Sequence, residues 1–135
     1  MPDRRDVMPL FERAFGQLEI AVASPIAEAR DLAGIVKSFE FVFELAWKAI
    51  QAVARGEGRE VLSPRAAFVE AFKAGWTPDA VVWKEILDDR NRTVHTYDET
   101  FAREMCARIA TTHIPAFETL LAKLKAHVAL VGSLG

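Results

Sequence analysis

Apolar residues recur at steps of three and four along almost the whole chain. Between about Met8 and Ala23, Leu10, Phe11, Phe15, Leu18 and Val22 fall on one side of a helix, which Pro25 in "ASP" brings to an end. The next segment, about Glu28 to Arg55, is the longest. Leu32, Ile35, Val36, Phe39, Val42, Phe43, Ala46, Ala49, Ile50 and Val53 form one unbroken stripe along it. Phe41, Leu45 and Trp47 are surplus to that stripe and point elsewhere, as in a helix central to its bundle or shared with a second subunit. Gly56 and Gly58 in "RGEGRE" close the segment and open a loop.

Shorter segments follow. "LSPRAAFVEAFKAG" carries a capping serine, Ser63, a proline at the first helical position and Gly75 beyond the end, with Ala67, Phe68, Ala71 and Phe72 inward. "WTPDAVVWKEILDDRN" restarts at Thr77–Pro78 and turns Val82, Trp83, Ile86 and Leu87 inward. Asp98 caps "ETFAREMCARIA", whose inner face is Phe101, Met105 and Ile109. "HIPAFETLLAKLKAHV" comes last, with Phe117, Leu120, Leu121, Leu124 and Val128 as its apolar side. Pro115 either starts this helix or kinks the one before it. No stretch alternates with period two over a useful length, and there is no repeat or low-complexity tract. The pattern predicts an all-α fold, an up-and-down antiparallel bundle of five or six helices, with residues 1–135 as a single domain.

Composition narrows the function. A net charge of −2, from 17 Lys+Arg against 19 Asp+Glu, gives no general attraction to phosphate backbones, so any nucleic-acid contact must be local. Cys106 is the only cysteine, which excludes an intrachain disulfide and suits a reducing cytoplasm; its helical, apolar neighbourhood reads as an inert buried thiol. No apolar run approaches the roughly 20 residues of a membrane span, and "MPDRRDVMPLFERAF" lacks a signal-peptide core, so the expected location is cytoplasmic. His113 and His127 stand apart from one another and from any cluster of metal-ligating residues, so no metal and no cofactor is expected. Trp47, Trp76 and Trp83 read as core or interface anchors. Glu40, Glu44 and Lys48 follow one another at four-residue steps, as a solvated ridge or as an internal partner for a cation.

One stretch, "LDDRNRTVHTYDE", does not read as scaffold: arginine, asparagine, histidine and tyrosine crowd between Arg90 and Tyr97. The inward stripe through Trp83 and Leu87 continues by helical steps to Arg90 and Val94, so a guanidinium stands where the pattern calls for an apolar group. His95 would lie about 140° around a regular helix from Arg90, and Tyr97 nearly in line with it. Two readings are open at this point. In one, Arg90 pairs with Glu40 or Glu44, His95 caps helix carbonyls and Tyr97 packs. In the other, the arginine fork holds a phosphate, the histidine moves the proton of a ribose hydroxyl, and the tyrosine hydroxyl bonds to or accepts a phosphate-bearing group.

"SFEFVFELAWKAIQ", "SPRAAFVEAFKAG" and "LDDRNRTVHTYDE", in that order from about Ser38 to Glu99, resemble the nucleotidyltransferase substrate-binding family of small helical proteins, within the HEPN superfamily. Arg90, four residues, His95, one residue, then Tyr97 is similar to the arginine-x4-histidine-x-tyrosine motif of the HepT-like toxins. The resemblance implies an up-and-down bundle that forms a homodimer, with the long helix at the seam, and a complex with a minimal nucleotidyltransferase encoded beside it. Carried over residue by residue, Arg90 and His95 become the catalytic pair of a metal-independent ribonuclease. Tyr97 becomes the acceptor of AMP from the transferase, or a nucleotide contact, and Asn91 a supporting residue. The family name implies a different role, the substrate-binding half of a two-chain nucleotidyltransferase with RNA or a nucleotide as ligand. A structural dimer with a vestigial motif is the third reading.

Overall fold

A computed structural model describes residues 4–134, with side chains from 6 to 132. Among them six α-helices follow one another: α1 (Arg4–Ala23), α2 (Ala29–Gly56), α3 (Pro64–Lys73), α4 (Ala80–Asn91), α5 (Glu99–Arg108) and α6 (Ile114–Leu134). No strand occurs among the described residues, and the all-α bundle predicted from periodicity is the fold.

Local chemistry sets the starts of α3, α4 and α5. Ser63 accepts from Ala66 N–H with Pro64 at the first helical position of α3; Asp79 accepts from Val82 N–H at α4, and Asp98 from Phe101 N–H at α5. The α4 cap is therefore Asp79, two residues beyond the expected Thr77–Pro78 start. At the end of α3 the chain reverses through Gly75, whose φ of +81° is a left-handed conformation that glycine adopts without strain.

The long helix behaves as its stripe demands. All ten stripe residues of α2 are buried within this one chain. Of the three surplus residues, Leu45 is also buried, Trp47 is half-buried and donates Nε1–H to Glu44 Oε2 at 3.1 Å, and Phe41 remains exposed. The bundle thus covers the long stripe without a second subunit. α1 lies along α2 with Phe11, Phe15 and Leu18 buried between them, while Leu10 is exposed. Phe72 of α3 was expected inward and is exposed; Ala67, Phe68 and Ala71 are the buried residues of this short helix.

Pro115 does not separate two helices. α5 passes into α6 through a π turn at Ile109–His113, in which Ile114 N–H reaches back to Ile109 C=O. A proline at 115 cannot donate to the carbonyl of Thr111 and would crowd it; the wider turn just upstream lets the column continue. The turn also rotates Ile109 and His113 into the core. At the other end, His127 Nε2 meets Glu57 Oε2 at 2.6 Å and Arg59 Nε meets Glu70 Oε1 at 2.9 Å, fastening α6 and α3 to the loop after α2.

Candidate functional site

Arg90 and Asn91 occupy the last turn of α4. Arg90 Nη2 lies 3.2 Å from Glu44 Oε1 on α2, and Nη1 lies 3.3 Å from Asn91 Oδ1. The guanidinium carbon sits 5.1 Å from the centroid of Phe43, so the stem crosses an apolar ring and carries the charge outward. Arg90 and Glu44 keep 37% and 38% of their side-chain surface. Of the two acidic partners expected from the sequence, Glu44 is the one used.

The helix does not persist to Tyr97. It stops at Asn91, and a 3₁₀ turn at Thr93–His95 follows, held by Thr93 Oγ1 to Arg90 C=O at 3.0 Å and Thr96 Oγ1 to Thr93 C=O at 2.7 Å. The angles expected on a continuous helix therefore do not apply. Val94, placed on the inward stripe by spacing, is exposed. His95 is exposed with its ring edge-on to Phe101 at 6.4 Å, in place of the expected carbonyl cap. Tyr97 is 87% exposed and does not pack. The fold brings Arg90, Asn91 and Glu44 together, and presents His95 and Tyr97 to solvent on the connection to α5.

The buried charge in this region is Asp89, one residue earlier. Its carboxylate is 1% exposed and takes three bonds: Arg108 Nε at 2.9 Å, Arg108 Nη2 at 2.8 Å and His113 Nε2 at 2.7 Å. Burial pushes the Asp89 carboxyl up, but the bonds from His113 and Arg108 and the Arg108 charge outweigh it and hold the group down at about 2. His113 is fully buried against Phe39, and its Nδ1 has no hydrogen-bond partner among the described residues. This cluster ties the last turn of α4 to the π turn. Sequence reasoning passed over it, treating His113 and His127 as isolated when each meets a carboxylate. The legible signal was Asp89, three residues after Ile86 and seven after Val82, on the face that packs inward.

A cleft of about 850 Å³ opens between α3 and α4, with Arg90 and Asn91 among its lining. Phe68 and Trp83 stack at 4.8 Å across the hairpin and make its floor. Arg65 and Lys73 on α3 and Lys84 on α4 line it as well, and Asp88 is its one carboxylate.

The model of the family described as nucleotidyltransferase substrate binding protein like matches residues 8–126. The crystal structure of ttk003001694 from Thermus thermophilus is 32% identical, covering 84% of this chain and 98% of that one, with a TM-score of 0.75. HI0074 from Haemophilus influenzae, described as revealing the fold of a substrate binding domain of a nucleotidyltransferase, is 26% identical. The likeness covers 87% of this chain and 98% of HI0074, with a TM-score of 0.76. No curated protein matches. With the family match spanning all but the ends of the sequence, the chain belongs to the nucleotidyltransferase substrate-binding-like family.

Proposed function

We propose that this chain is the substrate-binding partner of a separately encoded minimal nucleotidyltransferase, and that the segment from Arg90 to Tyr97 is the face it offers. The observation that carries this reading is Tyr97: an aromatic residue 87% exposed, on a turn that the core does not use, seven residues beyond the partly exposed Arg90. A tyrosine so placed adds nothing to packing and is open to a second protein. The family name and the description of HI0074 supply the kind of partner. Co-purification with the transferase encoded beside the gene tests it; a chain that elutes alone from a confirmed, folded pair overturns it.

The motif supports a second, finer reading, in which the chain is the toxin half of the pair, a HEPN-type ribonuclease. Arg90 would hold the scissile phosphate and His95 would move the proton of the ribose 2′-hydroxyl, without a metal. The transferase would then silence the site by moving AMP from ATP to the Tyr97 hydroxyl, the oxygen displacing pyrophosphate at the α-phosphorus and losing its proton. The same exposure of His95 and Tyr97 favours it, since both a substrate strand and a transferase must reach them. Asp98 and Glu99 beside Tyr97 would repel a nucleoside triphosphate unless the transferase brought magnesium to neutralise it. A nuclease assay of the isolated chain in EDTA separates this reading from the first. The homodimer expected from the long helix belongs to the same proposal, resting in that helix on exposed Phe41 and half-buried Trp47.

A further inference from the structure

The cleft between α3 and α4 has a chemistry of its own. Its floor is aromatic, the Phe68–Trp83 stack, and Phe72 stands in its wall with 56% of its surface free. A planar group can lie against such a ring without hydrogen-bond demands. Three cations line the same cleft, Arg65, Lys73 and Lys84, and none of them is in an ion pair among the described residues. Arg90 lies among the lining too, but its charge is shared with Glu44. Thr77, 2% exposed, lines the cleft and brings a hydroxyl to its wall. An apolar pocket of this size with a few convergent polar groups and surplus positive charge suits a ligand that is flat at one end and anionic at the other.

We infer that this cleft binds a nucleoside phosphate. The base lies on Phe72 above the Phe68–Trp83 pair, the Thr77 hydroxyl meets its edge, and the phosphates are held by Arg65, Lys73 and Lys84. Asp88, the lone carboxylate, suits ribose hydroxyls and not phosphate. This deepens the substrate-binding reading by naming a ligand class and the place where it sits. It needs neither the partner transferase nor nuclease activity, so the two can fail separately.

Calorimetric titration of the intact chain with AMP, ATP, adenosine, inorganic phosphate and dodecyl phosphate tests the assignment. AMP and ATP are expected to saturate the chain, and adenosine and phosphate to bind far more weakly, because each supplies half of the recognition. Lys73→Glu with Lys84→Glu is expected to weaken AMP by about tenfold or more, and Phe72→Ala by several-fold. Lys123→Glu on α6, lining a separate surface depression, is expected to change nothing. All the substituted side chains are exposed, and circular dichroism verifies the fold of each variant. The inference is overturned by absence of saturable nucleotide binding at millimolar concentration, or by affinity indifferent to the cleft variants. Phosphate binding as tightly as AMP would reduce the site to an adventitious ion only. Dodecyl phosphate binding more tightly than AMP would make it a groove for anionic amphiphiles. Co-purification with the transferase, with no nucleotide binding, would sink the cleft assignment alone.

Discussion

Arg90 Nη2 and Glu44 Oε1 lie 3.2 Å apart across α4 and α2, with more than a third of each side chain in solvent. An ion pair so exposed contributes no more than about 1 kcal/mol. Glu44 is held independently by the Trp47 indole N–H and stays hydrated when the arginine is removed. Arg90→Met should therefore shift the melting temperature by only a few degrees, while abolishing whatever the motif does. A collapse of the thermal melt would make Arg90 a structural residue and remove it from the proposed site.

The neighbouring position behaves in the opposite way. Asp89→Ala strands the buried His113 and releases both bonds from Arg108, so it should cost about 3 kcal/mol or more. Urea denaturation of the two variants side by side gives the contrast: a large loss at 89 and a small one at 90. Equal losses would contradict the burial difference on which the site assignment depends.

The same carboxylate sets an acid limb. Its folded value, about 2, lies below the 3.8 of an unperturbed aspartate, so as pH falls the unfolded chain takes the proton first. Its contribution, on the order of 2 kcal/mol, is complete above about pH 4 and is lost as pH falls toward 2. Denaturation midpoints measured across that window should fall more steeply for the wild type than for Asp89→Asn. Parallel curves would mean that Asp89 is not held down by its partners.

Cys106 should be unreactive in the folded chain. Burial pushes its thiol up to about 11, against a small opposing effect of Arg103, and Sγ sits 3.6 Å from the Leu32 carbonyl. Iodoacetamide at mildly alkaline pH should modify it only after denaturation, as read by intact mass. Rapid alkylation of the native protein would show that α5 opens away from α2.

Tyr97→Phe should leave stability within about 0.5 kcal/mol of the wild type, since its side chain is almost wholly in water. Under the silencing proposal, co-expression with a partner nucleotidyltransferase should add the mass of one AMP to the peptide carrying Tyr97 in the wild type and not in the phenylalanine variant. An unmodified Tyr97 from an active pair would leave the substrate-binding role without the silencing step.

Periodicity and capping residues determined the helices of this protein, because an apolar stripe and a side-chain cap are properties that each segment carries in its own sequence. The ten buried positions of α2 and the caps at Ser63 and Asp98 were legible for that reason. Spacing also marked Arg90 to Tyr97 as unlike scaffold, yet it could not place those side chains. It assumed a helix that continued, whereas the chain leaves the helix at Asn91 and turns His95 and Tyr97 to solvent. Which charge is buried was also beyond it. Asp89 follows Val82 and Ile86 at helical steps and Arg90 follows Trp83 and Leu87, so spacing marks both as inward. Only the docking of α5 and the π turn, bringing Arg108 and His113 to one of them and leaving Glu44 to the other, decides between them. The cleft between α3 and α4 is likewise a product of how far two helices splay around one aromatic pair, and distance between helices is written in no single segment.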